Sequence, residues 1–93
     1  MDNSFDELFD HMKSSVDYQL ELLRLSIVET IYDKMEDHKL NQTQLSKKMG
    51  CSRAMISKFL TGGNMTLKTI VKLAKALDFE WDIRIKDKNT EDN

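Results

Sequence analysis

The chain has 93 residues and a mass of 10.9 kDa, which is enough for one hydrophobic core and too little for two. Its composition, 40% apolar and 32% charged, favours a packed domain over a disordered chain. A single cysteine excludes an internal disulfide. The sequence has no signal-peptide pattern and no run of the roughly 20 apolar residues that a membrane helix needs. We therefore expect a reducing, cytoplasmic environment. The net charge of −2 by itself indicates no class of partner.

Acidic and basic residues are distributed unevenly along the chain. Residues 1–39 carry ten acidic and four basic side chains, a net charge of −6, and residues 76–93 have a net charge of −3. Residues 40–75 contain seven basic side chains and no acidic one, so their net charge is +7. A solvated face could account for such a segment, but 36 residues without a carboxylate favour a surface that binds a polyanion.

The first predicted element is a short amphipathic helix within residues 1–14. Ser4 and Glu7 have the spacing of a capping box, in which each side chain bonds the backbone N–H of the other residue. Apolar side chains follow at the spacing of one helix face: Phe5, Leu8, Phe9 and Met12. We expect a helical domain over residues 15–78 to follow.

The second predicted helix is the longest. It begins at a weaker capping pair, Ser14 with Asp17, and extends to about Lys39. Its apolar residues form two stripes, of which one comprises Leu20, Leu23, Ile27, Ile31 and Met35, and the other Tyr18, Leu22, Leu25, Val28 and Tyr32. The helix is therefore either buried on all sides or gives one face to the core and the other to a partner.

Three shorter helices are predicted to begin with one pattern, a capping residue flanked by apolar residues that pack on each other. The caps are Asn41, Ser52 and Thr66. The first helix ends at Met49, because Gly50 favours the left-handed conformation that terminates helices, and the second ends near Leu60. The third runs through Leu77. Its predicted core side comprises Leu67, Ile70, Val71, Ala74 and Leu77.

After Asp78 the pattern changes from helical to alternating, which predicts a β-strand over residues 79–86. Its apolar side comprises Phe79, Trp81, Ile83 and Ile85, and its polar side Glu80, Asp82, Arg84 and Lys86. The polar residues 87–93 are expected to form a flexible tail. The predicted fold is an all-α bundle of about five helices with one C-terminal β-strand.

Two of the short helices, joined by a tight turn at Gly50, match the helix-turn-helix unit, whose second helix enters the major groove of DNA. The unit has its core at residues 41–60, within the cationic segment. Residues 40–63 closely resemble the Xre/Cro, or lambda-repressor-like, family, with apolar residues at the family's spacing: Leu45, Met49, Ile56 and Phe59. The resemblance extends to Leu77 and implies a lambda-repressor-like fold and a sequence-specific transcriptional repressor. Ser46 departs from the small apolar residue usual there and requires a local hydrogen bond.

The resemblance assigns roles to residues of the second helix. Arg53 and Ala54 occupy the first two positions, where family members read base edges, and Ser57 and Lys58 lie one turn later on the exposed side. The Arg53 guanidinium can bond O6 and N7 of a guanine, although a phosphate contact or a solvated side chain would also suit it. Ala54 could touch a thymine methyl group, although alanine is also simply a good helix former.

A second set of residues is expected to bind the phosphate backbone, which positions a protein without reading sequence. Gln42 matches the family glutamine that contacts phosphate and braces the start of the second helix. Hydroxyls, backbone N–H groups and charge at helix starts and in the loop supply the others: Ser52, Thr61, Asn64 and Lys68.

The predicted strand is also a candidate homodimer interface. In an antiparallel pair of strands with its two-fold axis at Ile83, every charge meets its opposite. The pairs are Glu80 with Lys86 and Asp82 with Arg84, while Trp81 faces Ile85 on the other surface. The alternative is an edge strand that packs within its own subunit. A two-fold dimer implies a palindromic double-stranded DNA operator, with half-sites about 34–36 Å apart or a multiple of that.

An acidic helical extension, a Xre-type motif and a terminal strand, in this order, resemble HigA-type antitoxins. That resemblance implies a dimer that represses its own operon and neutralises a small basic toxin. Acidic residues surround the candidate toxin contact on the first helix, which comprises Phe5, Leu8, Phe9 and Met12. These side chains could instead pack on the subunit's own core. A phage-type or stand-alone Xre repressor without a toxin is the alternative function.

Residues for catalysis or cofactor binding do not occur in the required arrangements. His11 and His38 are far apart, no cysteine or carboxylate cluster has metal-ligand spacing, and no glycine-rich phosphate loop is present. We therefore expect no enzymatic activity, no metal and no cofactor. A protein-interaction module that has lost DNA binding is a further alternative, which the acid-free segment argues against.

Overall fold

The computed structural model describes residues 15–62 and 65–87. Within these ranges it contains four α-helices: α1 (Val16–Asp37), α2 (Gln42–Met49), α3 (Arg53–Thr61) and α4 (Leu67–Ala76). They correspond to the last four of the five predicted helices. The predicted helix within residues 1–14 and the tail from residue 88 lie outside the described residues, as do Gly63 and Asn64 in the loop before α4.

The three short helices begin at the residues predicted to cap them. At the start of α2, Asn41 Oδ1 accepts a hydrogen bond from Gln44 N at 2.8 Å, and Asn41 N donates to Gln44 Oε1 at 2.9 Å. The hydroxyls of Ser52 and Thr66 each accept from the backbone N–H three residues later. Helix α1 begins one residue later than predicted, because its capping hydroxyl belongs to Ser15.

Helices α1, α2 and α4 end in one backbone motif. The residues with left-handed conformation are Lys39 (φ 56°), Gly50 (φ 71°) and Asp78 (φ 64°). The N–H of the following residue then donates to a carbonyl five residues earlier, at 2.9–3.0 Å, as in a Schellman motif. The sequence predicted this ending only for Gly50, since glycine alone adopts a positive φ without strain.

Replacing Gly50 with alanine is expected to destabilise the fold by about 1–2 kcal/mol, because a Cβ is strained at positive φ. No atom lies within 4 Å of the position that this Cβ would occupy, so strain rather than collision determines the loss. The reverse replacement, Lys39→Gly, removes strain but loosens the unfolded chain, so we expect a gain below about 1 kcal/mol. Urea unfolding followed by circular dichroism measures both, and equal losses in the two variants would contradict this explanation.

One cluster of buried apolar side chains holds the four helices together. Helix α2 packs against both α3 and α4. The cluster comprises Val28, Ile31, Met35, Leu45, Ile56, Leu60, Leu73 and Leu77. Ser46 is buried beside it, and its hydroxyl donates to the Thr43 carbonyl at 2.6 Å. This is the local hydrogen bond that the sequence required at that position.

The side of α4 that faces the core agrees only in part with the predicted one, which is confirmed for Ala74 and Leu77. Leu73, Ala74 and Leu77 are buried, whereas Leu67 and Val71 are exposed. The apolar residues of α4 form two overlapping stripes at helical spacing, and only one of them can face the other helices. The prediction was therefore wrong for Leu67 and Val71, and it missed Leu73.

The apolar surface of α1 is divided along the helix rather than around it. Val28, Ile31 and Met35, in the second half, are buried in the core. The large apolar side chains of the first half are exposed within the single chain: Val16, Leu20, Leu22, Leu23 and Leu25. Helix α1 is thus neither buried on all sides nor buried along one complete face.

Residues 79–87 have no regular secondary structure. A β-strand needs a neighbouring strand for its hydrogen bonds, and residues 15–62 and 65–87 contain no other strand. Phe79 and Trp81 pack against the core with their rings edge-on at 5.0 Å, and Trp81 Nε1 donates to the Ile70 carbonyl at 2.8 Å. Ile83 and Ile85 are exposed. The strand and its pairing therefore stay predictions.

Candidate nucleic-acid interface

The turn between α2 and α3 determines which side of α3 reaches solvent. Gly50 reverses the chain, Cys51 packs against the core, and the Ser52 hydroxyl caps α3. Helix α3 then buries Ile56 and Leu60 against the other helices. Because these two residues lie on one side of α3, its opposite side faces solvent.

Of the four predicted base-reading residues, Ala54 and Lys58 lie on this outer side of α3, Ser57 lies at its edge, and Arg53 lies at the N-terminal end of the helix. Arg53, Ala54 and Lys58 are exposed, and Ser57 is half-buried. An α-helix turns by about 100° per residue, so Ala54 and Lys58 lie opposite the buried side and Ser57 lies at its edge. Arg53 is in line with Leu60 and is exposed because it is the first residue of the helix. Arg53 is the first residue of α3, and the N-terminal end of a recognition helix is the part that contacts base edges.

Met55 is an additional candidate contact that the sequence pattern did not identify. Its side chain is exposed in the first turn of α3, beside the outer side on which Ala54 and Lys58 lie. An apolar side chain in the major groove can contact a thymine methyl group. The sequence could have indicated its exposure, because Ile56 and Leu60 mark the buried side of α3 and Met55 lies outside that stripe.

Of the predicted phosphate-binding residues, Gln42, Thr61 and Lys68 lie on helices, Ser52 caps α3, and Asn64 is outside the described residues. Gln42 is the first residue of α2 and is half-buried, and Lys68 is exposed in the first turn of α4. The Ser52 hydroxyl accepts the capping bond, so its own hydrogen can still be donated to a phosphate oxygen. Thr61 differs, because its hydroxyl already donates to the Ser57 carbonyl at 2.7 Å. Phosphate oxygens accept hydrogen bonds, so Thr61 would first have to release that carbonyl.

Every basic residue of the cationic segment is exposed, and the set comprises Lys47, Lys48, Arg53, Lys58, Lys68, Lys72 and Lys75. The two ion pairs found among the described residues, Arg24 with Glu21 and Arg84 with Asp82, lie outside this segment. The first turns of α2, α3 and α4 contain no acidic residue, so their partial positive charge stays available to an anion. Several lysines lie in last turns, where they also complement the negative helix ends.

A groove between the end of α2 and α4 gathers three of these lysines. It is lined by Lys48 and Met49 of α2 and by Lys72, Lys75 and Ala76 of α4. Lysines so far apart in sequence meet only because α2 packs against α4, so the sequence did not indicate this groove. Three neighbouring ammonium groups attract an anion such as a phosphate.

An apolar groove lies between α4 and the residues that follow it. Val71, Ala74 and Lys75 of α4 line one wall, and Asp78, Phe79, Glu80 and Trp81 line the other, so three charged side chains border the four apolar ones. The hydrogen bond from Trp81 to the Ile70 carbonyl holds the second wall in place. The groove can therefore receive an apolar side chain from another molecule.

The described residues also bear on metal binding, on membrane spanning and on thiol chemistry. In residues 15–62 and 65–87, no group of three or more histidine, cysteine, aspartate or glutamate side chains could hold a metal ion. None of the four helices is long and apolar enough to span a membrane. Cys51 is a free, half-buried thiol that packs against the core.

A family model described as helix-turn-helix matches residues 31–83. The match covers more than half of the chain and includes the last third of α1, all of α2, α3 and α4, and the following residues as far as Ile83. A search of curated proteins and a search of solved structures each found no match. The first half of α1 precedes the matched region.

Proposed function

The chain belongs to the Xre/lambda-repressor-like helix-turn-helix family of DNA-binding transcriptional regulators, and we propose that it acts as a sequence-specific repressor in the cytoplasm. In this proposal, α3 lies in the major groove of double-stranded DNA with its N-terminal end toward the base pairs. The observation that carries the proposal is the solvent-exposed surface of α3, with Arg53 at its N-terminal end and Ala54 and Lys58 on its outer side, within a segment that has no carboxylate.

The proposed base-reading residues are Arg53, Ala54, Ser57 and Lys58. Arg53 forms two parallel hydrogen bonds to O6 and N7 of a guanine. Ala54, opposite the buried side of α3, lets the helix approach the base pairs closely and offers its methyl group to a thymine. Ser57 and Lys58 lie one turn later, where a hydroxyl or an ammonium group can reach a base edge or a phosphate.

The proposed phosphate contacts position α3 over the groove. Gln42 and Lys68 lie in the first turns of α2 and α4, where the helix dipole adds to their attraction for an anion. Ser52 donates its remaining hydroxyl hydrogen. Asn64 is proposed from the sequence alone, since it lies outside the described residues. Thr61 should contribute least, because its hydroxyl is already used within α3.

Two copies are proposed to pair through residues 79–86 as an antiparallel ribbon. The exposed side chains of Ile83 and Ile85 support this proposal, because pairing would cover them. In the register centred on Ile83, Ile85 of one copy lies opposite Trp81 of the other, beside the apolar groove that Trp81 lines with Val71. The dimer would bind a palindromic operator with one α3 in each half-site.

An antitoxin role is the finer form of the proposal. It is supported by the resemblance to HigA-type antitoxins and by the net charge of −6 of residues 1–39, which suits a small basic toxin. The proposed contact comprises Phe5, Leu8, Phe9 and Met12, outside the described residues. Co-expression with the product of the neighbouring gene tests it. A complex that is lost in Phe5→Ala/Phe9→Ala supports the role, and the absence of any complex leaves a stand-alone repressor.

The experiment that tests repression compares binding to the DNA upstream of the chain's own gene with binding to a scrambled sequence, over a series of salt concentrations. We expect a preference for the upstream sequence and an affinity that falls as salt rises. Arg53→Ala should reduce that preference by about 1–3 kcal/mol and should change binding to scrambled DNA much less.

The matched control is Lys68→Ala, which removes one exposed cation from a proposed phosphate contact. It should weaken binding to both DNAs alike and lower the salt slope by about 1. Binding that is indifferent to sequence at every salt concentration would overturn the proposed repressor function.

A further inference from the structure

The first half of α1 carries an apolar surface that the fold leaves uncovered. It lies outside residues 31–83, which match the family model. Its most exposed apolar residues are Val16 (80%), Leu23 (62%) and Leu20 (59%). Together with Ile27, which is half-buried because it also packs against the edge of the core, they form one stripe with spacings of four, three and four residues, called the α1 seam. Such spacing allows two helices to pack side by side with interlocking side chains.

The opposite side of the same half is less exposed. Leu22 and Leu25 are 44% and 48% exposed, and Tyr18 is half-buried. Both sides are apolar, so hydrophobicity alone does not distinguish them. Exposure does, and it identifies the α1 seam as the side that the chain leaves most open to another molecule.

We propose that the α1 seams of two copies of this chain pack against each other in antiparallel orientation. Leu20 then lies opposite Leu23 of the second copy, and Val16 lies opposite Ile27, so every layer is apolar. The buried part of α1 begins at Val28. An antiparallel pair therefore places the two folded domains at opposite ends, whereas a parallel pair would crowd them at one end.

The charges beside the seam favour the same arrangement. Asp17 and Arg24 flank the α1 seam on one side. The antiparallel register places Asp17 of each copy beside Arg24 of the other, which makes two ion pairs related by the two-fold axis. In a parallel pair, Arg24 would lie beside Gln19 rather than beside a carboxylate. The charge pattern therefore indicates a second copy of this chain as the partner, and its orientation.

Arg24 is already oriented by a contact within α1. Its Nε and Nη2 donate to the Glu21 carboxylate at 3.2 and 2.7 Å, and this guanidinium holds the pKa of Glu21 below its usual value. Nη1 is buried and has no hydrogen-bond partner among the described residues. Because the chain itself covers Nη1, Asp17 of a second copy would approach the exposed part of this side chain, which is 21% accessible to solvent.

The α1 seam is small. The exposed half of α1 is about 15 Å long, and four side chains per copy cover less than the roughly 800 Å² per partner of a typical stable interface. We therefore expect weak, reversible association, which joins two copies or two strand-paired dimers at high protein concentration. This proposal does not rest on the proposed DNA-binding function, and its test contains no DNA.

Sedimentation equilibrium of the full chain over a wide concentration range provides the test. We expect the wild type to self-associate, and Leu23→Asp to lose this association, because its carboxylate would be buried against Leu20 of the second copy. Leu25→Asp adds the same charge to the other side of α1 and should associate like the wild type. Circular dichroism verifies that the variants remain folded.

Reversal of the charges at Asp17 and Arg24 distinguishes a loss of contact between the two copies from a loss of stability within α1. Asp17→Arg alone, or Arg24→Asp alone, places like charges next to each other in both of the pairs that join residue 17 of one copy to residue 24 of the other. Each single variant should therefore raise the dissociation constant about tenfold or more. The double variant, Asp17→Arg with Arg24→Asp, restores both pairs of opposite charges and should return the dissociation constant to near the wild-type value. It does so although both substitutions still have their effects on the stability of α1 itself. Equal masses for the wild type, Leu23→Asp and the charge variants would overturn the proposal, and would leave the α1 seam to the chain's own N-terminal residues or to another protein.

Discussion

Leu73→Ala is expected to lower the free energy of unfolding by about 2–5 kcal/mol, whereas Leu67→Ala should change it by less than about 0.5 kcal/mol. Both variants remove the same atoms from the same helix, α4. Leu73 has 0% exposure within the core cluster, so its truncation leaves a cavity, whereas Leu67 is 76% exposed. Small domains are stable by only about 5–15 kcal/mol, so the first variant loses a large share of its stability.

Urea unfolding followed by circular dichroism measures both changes. All samples are compared at one protein concentration, because dimerisation makes apparent stability depend on concentration. The sequence pattern favours the opposite ranking, because it predicts Leu67 and not Leu73 on the core side of α4. A loss for Leu67→Ala as large as that for Leu73→Ala would mean that α4 faces the core with the predicted stripe.

Helix starts could be predicted because neighbours within one turn determine them. Asn41 needs only Gln44 to complete its capping box, and Ser52 and Thr66 bond backbone N–H groups three residues away. The position of the base-reading surface follows from the same local chemistry. Once Ser52 caps α3, Arg53 is its first residue, and helix periodicity places the remaining outward side chains.

Helix ends were predicted less completely, because two of them have no glycine. Lys39 and Asp78 adopt the left-handed conformation although their side chains disfavour it. Leu40 and Phe79, the residues that follow them, pack against the core, and that tertiary contact can offset the local strain. A sequence does not show in advance which apolar residue will find such a contact.

Which of two apolar stripes faces the core could not be predicted for α1 or α4. Each helix has more apolar surface than the core can cover, so the choice depends on where the other helices lie. The groove with Lys48, Lys72 and Lys75 has the same origin, because it exists only where α2 meets α4. Met55 was not predicted for a related reason, because its exposure depends on which side of α3 packs against the other helices.

Ile83→Glu is expected to dissociate the proposed strand-paired dimer and to weaken binding to an operator with two half-sites by about 100-fold to 10,000-fold. The variant places two carboxylates opposite each other at the two-fold axis, and like charges directly opposite destabilise a strand pair. In the dimer, binding of one subunit to its half-site brings the other subunit close to the second half-site. Loss of the dimer removes the gain in affinity that this linkage provides. Ile83 is 84% exposed, so the subunit itself should remain folded.

Sedimentation measures the mass of the variant, and fluorescence anisotropy measures its binding to one half-site and to two. Binding to a single half-site should not change, because α3 and its phosphate contacts lie on one subunit. The matched control exchanges the flanking charges, Asp82→Arg with Arg84→Asp, which preserves opposite pairs in the proposed register and should retain the dimer. If Ile83→Glu remains dimeric and binds the full operator like the wild type, the ribbon is not the dimer interface. The repressor function would then depend on another two-fold contact, for which the α1 seam is the next surface to test.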